Sequence, residues 1–151
     1  MDPQQNKTVV NQFIEQILNR GDLSQLGYII HSEFKFHGMP DTETLEDLKL
    51  AFAYLHVNWT HIYREVEFEI EEMQVEDDIV TVNLTRRGVL KHQYTEAGTT
   101  DEMCTVSVQE TYRVVDGKIK ERWIKHRDRK RLGTPVTGDA VSDSPSTAFR
   151  N

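Results

Sequence analysis

Two carboxylates sit where a strand should be apolar. The stretch Thr105–Lys125, TVSVQETYRVVDGKIKERWIK, alternates on both sides of Asp116-Gly117. An Asp-Gly pair between alternating runs signals a two-residue hairpin turn, because both positions favour φ > 0. Such a turn sets Val115 opposite Lys118, Val114 opposite Ile119, Tyr112 opposite Glu121, Glu110 opposite Trp123 and Val108 opposite Lys125. All of these but Val115 and Lys118 share one face, since a strand repeats every two residues. The other face takes Ser107, Gln109, Thr111, Arg113, Lys120, Arg122 and His126. The first face is the more apolar, yet it carries Glu110 and Glu121, diagonal neighbours expected roughly 7–8 Å apart. A carboxylate there must be paired, hydrogen-bonded, protonated or turned to a cavity. A buried acid that keeps its proton can donate to a developing oxyanion. His37, closing an alternating run Glu33–His37, can serve as a base near neutral pH.

Plainer readings stand beside these. Glu110 can accept hydrogen bonds in a structural network, and Glu121 can pair with Lys125 or Arg87 at a rim. His37 can be a hydrogen-bonded strand-end histidine. Phe52, Tyr54, Trp59, Tyr63 and Trp123 can line an apolar cavity for a flat ring, or simply fill the core.

The elements that would hold these groups are set by periodicity. Val9, Val10, Phe13, Ile14, Ile17 and Leu18 form one stripe of a helix over residues 7–20, ended by Gly21. Asp22 opens a short second helix carrying Leu23, Leu26, Ile29 and Ile30. Thr44 and Asp47 form a capping pair for a third helix, with Leu45, Leu48, Phe52 and Leu55 on its buried side. From Tyr63 the period becomes two, with Val66, Phe68 and Ile70 alternating with glutamates. Glu76-Asp77-Asp78 is a turn, Ile79–Leu90 a long strand, and His92–Met103 a polar loop or frayed strand extension. Three helices and then an antiparallel meander predict an α+β domain over residues 1–132. Residues 133–151 are expected to be a disordered tail, being rich in Gly, Pro and Ser.

Composition narrows the function. The chain has 151 residues, enough for one domain, and a net charge of −7, which disfavours nucleic-acid binding. Eight of the 18 Lys and Arg residues lie between Lys118 and Arg131. They suit a solvated outer strand face better than an anionic partner. Cys104 is the single cysteine, so no internal disulfide forms, and a cytoplasmic location is expected. MDPQQNKT has neither region of a signal peptide, and no apolar run approaches the ~20 residues of a membrane span. The histidines show no ligand spacing, so no metal is expected. Nucleophile, P-loop and dinucleotide motifs are missing too.

The chain resembles the NTF2-like superfamily, which includes ketosteroid isomerases and SnoaL-like polyketide cyclases. The carriers are Leu18-Asn19-Arg20-Gly21-Asp22-Leu23, Phe36-His37-Gly38, and the run Tyr112–Trp123, within a likeness covering about residues 7–130. The resemblance implies a cone: three N-terminal helices on a curved, mixed, mostly antiparallel sheet enclosing a pocket. It implies a cofactor-independent isomerase or cyclase moving a proton next to a carbonyl of a small apolar, polyketide-like molecule. His37 matches the position of the isomerases' catalytic base and Glu110 that of their protonated acid, with Glu121 and Tyr112 orienting Glu110. Phe52, Trp59, Tyr63, Tyr112 and Trp123 would line the substrate pocket. The isomerases' helix tyrosine is replaced by Phe13 or Ile14, and the cyclases' His-Trp-Asp by Arg122-Trp123-Ile124. The resemblance further implies a homodimer through the outer sheet face, with Ile124 on it. A non-catalytic binding or assembly module of the same fold is the alternative.

Overall fold

In the computed structural model, residues 2–39, 42–90 and 102–132 are described. The expected tail from 133 and most of the expected loop over 92–103 lie outside them. Helix α1, Pro3–Gln12, starts earlier than the apolar stripe announces. The Asp2 side chain accepts from the Gln4 amide at 2.9 Å, and proline at the first helical position has no amide to leave unpaired. The helix runs on into a wider-wound π segment, Phe13–Asn19. Val10, Phe13, Ile14, Ile17 and Leu18 are buried as the stripe requires.

A turn at Leu23–Gln25 and a short helix α2, Leu26–Ile29, lead into strand β1, Ile30–Phe36. Helix α3, Leu45–Ile62, carries the expected reciprocal cap between Thr44 and Asp47. It buries Leu48, Phe52, Leu55 and Trp59. Strands β2 (Tyr63–Glu76), β3 (Ile79–Leu90), β4 (Glu102–Val115) and β5 (Lys118–Leu132) form a meander. The sheet order is β1-β5-β4-β3-β2, with β1 parallel to β5 and the other pairs antiparallel. The helices pack on one face, where Val80, Val82, Leu84, Val108, Tyr112, Val114 and Ile119 are all buried.

The hairpin turn forms as expected, with Asp116 at φ 53° and Gly117 at φ 76°. Val114 faces Ile119 and Val115 faces Lys118. The next pair, however, is Arg113 with Glu121. Lys120 is an extra residue, a β-bulge in which two residues oppose one, and it reverses the expected facing of β5 from Glu121 to His126, where a second shift follows. Tyr112 therefore meets Arg122, Thr111 meets Trp123 and Glu110 meets Ile124. The expected inner neighbours Glu121 and Trp123 turn to the outer face, while Arg122 turns inward. Ile124, expected on the outer face, packs against the core.

Strand β2 ends the sheet, and an end strand exposes unpaired amides and carbonyls. Asn19, at the end of the π segment, covers part of that edge. Its Oδ1 accepts from the Phe68 amide at 2.6 Å and its Nδ2 donates to the Phe68 carbonyl at 3.0 Å. Asn19→Ala leaves both backbone groups part-buried and unpaired. The expected loss is about 2 kcal/mol, at roughly 1–3 kcal/mol per buried group left unsatisfied. It should appear as a lower urea midpoint with unchanged m-value. An unaltered midpoint would show that water replaces the amide at no cost.

Candidate functional site

Arg122 and Arg86 both turn to the inner face of the sheet, and they live in different surroundings. Arg122 is 1% exposed and Glu110 is 0% exposed. Arg122 Nε donates to Glu110 Oε1 at 3.0 Å, and its Nη2 lies 3.0 Å from the same oxygen. The Tyr112 hydroxyl donates to that oxygen as well. The guanidinium carbon lies 5.1 Å from the Phe13 ring centre, 5.7 Å from Phe36 and 5.9 Å from both Phe52 and Tyr112. A cation is thus held inside by the Glu110 carboxylate and a box of aromatic faces. Burial, and after it the negative charge of Glu110, pushes the Tyr112 phenol well above the usual tyrosine value, so it stays a donor. Burial works against the Arg122 charge, but Glu110 and Tyr112 outweigh it and hold the guanidinium above its ordinary value. Glu110 Oε2 is buried without a hydrogen-bond partner among the described residues.

The three expected catalytic residues do not converge. His37 comes directly after β1, and its amide donates to the Arg122 carbonyl at 2.9 Å. Its ring lies on the other side of the sheet from Glu110, stacked on Trp123 with centroids 4.9 Å apart and planes 9° from parallel. His37 Nε2 is 3.3 Å from Glu121 Oε2. Glu121 Oε1 accepts from Arg113 at 3.3 Å, and Arg113 donates to Asp78 at 3.1 Å. This chain of charges is half-exposed on the outer face. The two-carboxylate arrangement expected beside Glu110 is not formed, because the bulge puts a guanidinium where Glu121 was expected.

The expected cavity residues also divide. Phe52 packs in the core against Phe13 and Phe36, at 5.6 and 6.2 Å between ring centres. Tyr112 holds Glu110, and Trp123 stacks on His37. Trp59 and Tyr63 do line a cleft, together with Val66, Arg86, Arg87, Gly88, Cys104 and Val106. The cleft is narrow, with about 10 Å³ of free space, room for about one water, and it is partly open to solvent. It lies between the C-terminal turn of α3 and the ends of β2, β3 and β4. Gly88 shapes it: a Cβ there would come within 3.1 Å of the Tyr63 Cβ, a tight contact that would push Tyr63 away from β3. Arg122 and Arg86 were the residues that sequence reasoning missed. Arg86 was within reach, since alternation along Val80, Val82, Leu84 and Arg86 puts it inward. Arg122 was hidden by the bulge. No group of three or more His, Cys, Asp or Glu among the described residues could hold a metal ion. No helix among them is long and apolar enough to cross a membrane.

Helices on one face of a curved mixed sheet, with a cleft at one end, define an α+β cone of the NTF2-like kind. The model of the SnoaL-like polyketide cyclases matches residues 8–142, and the chain belongs to that family. No curated protein matches it. Among solved structures it is similar to TsrD from Streptomyces laurentii, with a TM-score of 0.64 and 16% identity over 83% of this chain and 90% of that one. A SnoaL-like polyketide cyclase from Agrobacterium tumefaciens gives a TM-score of 0.62 and 13% identity, covering 84% and 93%. IdmH from Streptomyces antibioticus gives 0.62 and 17%, covering 81% and 91%. At these identities the likeness is one of fold.

Two outcomes are expected for the buried pair. Glu110→Gln leaves Arg122 inside without its counter-charge, an expected loss of about 3–5 kcal/mol, whereas Glu110→Gln with Arg122→Met should recover most of it. Chemical denaturation of both variants checks this, and equal losses would refute the pairing. The raised Tyr112 value also has a sign. The folded state keeps a proton that the unfolded chain loses near pH 10.0, so this contribution is complete below that pH and is lost as pH rises through the folded value. Stability should fall above pH 10 less steeply in Tyr112→Phe than in the parent. Denaturant midpoints across alkaline pH measure the difference.

Proposed function

We propose that the protein is a small-molecule pocket protein of the SnoaL-like type that moves a proton next to a carbonyl, with Glu110 as the interior proton acceptor. The observation that carries this is the uneven use of the carboxylate. Oε1 receives the Arg122 and Tyr112 donors, and Oε2 is left buried without a partner among the described residues. A buried carboxylate oxygen left without a partner calls for a reason, and an acid–base role is one. Arg122 and Tyr112 then position the carboxylate, and Arg122 stabilises negative charge arising nearby. The cleft at Trp59 and Tyr63 opens on the same face, and Glu110 is not among the residues that line it. With His37 on the opposite face, the single centre built from His37, Glu110 and Glu121 gives way to one built on Glu110.

The burial of Glu110 favours a second reading. No surface of it is open, and Phe13, Phe36 and Phe52 close around Arg122. A non-catalytic binding module would keep the ion pair as internal scaffolding and use only the cleft. Deuterium incorporation at the acidic C–H of a cyclic 1,3-diketone, monitored by NMR in D₂O, separates the two. Under the catalytic reading the protein accelerates exchange over buffer, and the folded Glu110→Gln/Arg122→Met variant loses about 10²–10⁴-fold of that acceleration. Exchange no faster than buffer puts the binding module ahead.

Among the described residues the outer sheet face carries no helix, and we propose it as a homodimer contact centred on Thr111. Thr111→Arg would place like charges across a two-fold axis. Sedimentation should then show a monomer; an undisturbed dimer would remove this face from the interface.

A further inference from the structure

Helix α3 is apolar on two opposite sides. Leu48, Phe52, Leu55 and Trp59 are buried against the core. Displaced by two residues, and so roughly 200° round the helix, the exposed side carries Glu46, Leu50, Ala53, Tyr54, Val57 and His61. Leu50 is 69% exposed, Tyr54 60% and Val57 65%. No Asp, Glu, Lys or Arg stands between Leu50 and Ile62. Helix α1 shows the ordinary pattern, with Gln4, Gln5, Thr8, Asn11 and Gln12 outward. A helix apolar all round belongs in an interior, so the outward side of α3 has the character of a contact surface.

The order of residues along this side says what covers it. The acids Glu46 and Asp47 lie in the first turn and His61 in the last. Lys49 is 3.5 Å from Glu46, a loose exposed pair within the chain. The apolar residues lie between these ends at helical spacing. Turned end for end, the stripe complements itself in both charge and greasiness. We propose that this side of α3 docks on the same helix of a second copy, antiparallel about a two-fold axis between Ala53 and Tyr54. Leu50 then stands level with the partner's Val57, Glu46 with the partner's His61, and Lys49 with the partner's Asn58. No like charges meet, the imidazole can donate to the carboxylate, and the helix dipoles run opposed. The small Ala53 beside the axis leaves room for the Tyr54 rings, whose hydroxyls reach the wet rim. A parallel docking would set Glu46 against the partner's Glu46 and align the dipoles. Because α3 packs on the inner face of the sheet, this contact and the one proposed around Thr111 lie on opposite sides of the molecule.

Sedimentation velocity across a concentration series tests this in the Thr111→Arg protein, where the outer-face contact is removed. One helix pair falls short of the ~1,600 Å² of a standard interface, so the protein should be monomeric when dilute and dimerise with a Kd of about 0.1 mM. Leu50→Glu and Val57→Lys each put a charge into the apolar seam, and each should weaken the dimer at least about tenfold. Both positions are exposed, so the denaturant midpoint should not move. An equimolar mixture of the two variants should recover most of the lost affinity. In the mixed pair the two introduced charges stand level with each other, and the other Leu50–Val57 contact is intact. That recovery also shows that both variants are folded. A monomer at every concentration would give the stripe to a different occupant and overturn the proposal. A dimer that withstands both substitutions, or a mixture no tighter than the variants alone, would overturn it as well.

Discussion

A guanidinium buried among aromatic rings is stable only while its carboxylate is in place. Removing two such charges from water costs several kcal/mol each, and their attraction offsets this only with good geometry and further hydrogen bonds. Here one oxygen, Glu110 Oε1, collects the Arg122 and Tyr112 donors. The pair joins β4 to β5, and its aromatic surroundings join that hairpin to the π segment through Phe13, to β1 through Phe36 and to α3 through Phe52. These elements of the inner face are therefore arranged around one charge. A purely apolar centre would tolerate sliding among similar packings. This one is directional, because the guanidinium must meet the carboxylate edge-on while presenting its faces to rings.

The same centre divides the molecule by function. At the hairpin end the interior is filled, and Glu110 and Arg122 match their charges within the chain. Toward the far ends of β2, β3 and β4 the filling gives way to the cleft, where Trp59 and Tyr63 stand over Arg86 and Gly88. The filled part holds the sheet's curvature, and the cleft marks where the packing loosens. The outer face carries a third arrangement, the charge chain from His37 through Glu121 and Arg113 to Asp78. It faces solvent and is screened accordingly.

Local signals in the sequence were faithful. The α1 stripe, the Thr44–Asp47 cap, the Asp116-Gly117 turn and the long β3 strand all stand where periodicity and turn chemistry put them. Trp59 and Tyr63 reach the cleft because their places on α3 and β2 depend only on those periods. The inner partner of Glu110 was not legible for a physical reason. A bulge is a backbone event, and Lys120 carries no glycine or proline to announce it. Alternation continued through Lys120 assigns the apolar Trp123 inward and the charged Arg122 outward. That is the sensible default for an arginine, and it also kept Arg86 from view. Trp123 instead finds its contact by stacking on His37, and Arg122 is made tolerable inside by its rings and by Glu110.

The bulge at Lys120 also bears on inheritance. A strand that gains one residue must either turn over everything downstream or absorb the newcomer locally, and β5 does the second. A hairpin lacking Lys120 would pair Arg113 with Glu121 and Tyr112 with Arg122, as this one does. Lys120 thus adds one residue to β5 while leaving Arg113 facing Glu121 and Tyr112 facing Arg122. The counterpart of Arg122 in a relative without the bulge stands one step nearer the turn. Counting residues from the turn would match it to Glu121 and mistake a cation for an acid, so ancestry in this hairpin is traced by facing rather than by distance along the chain.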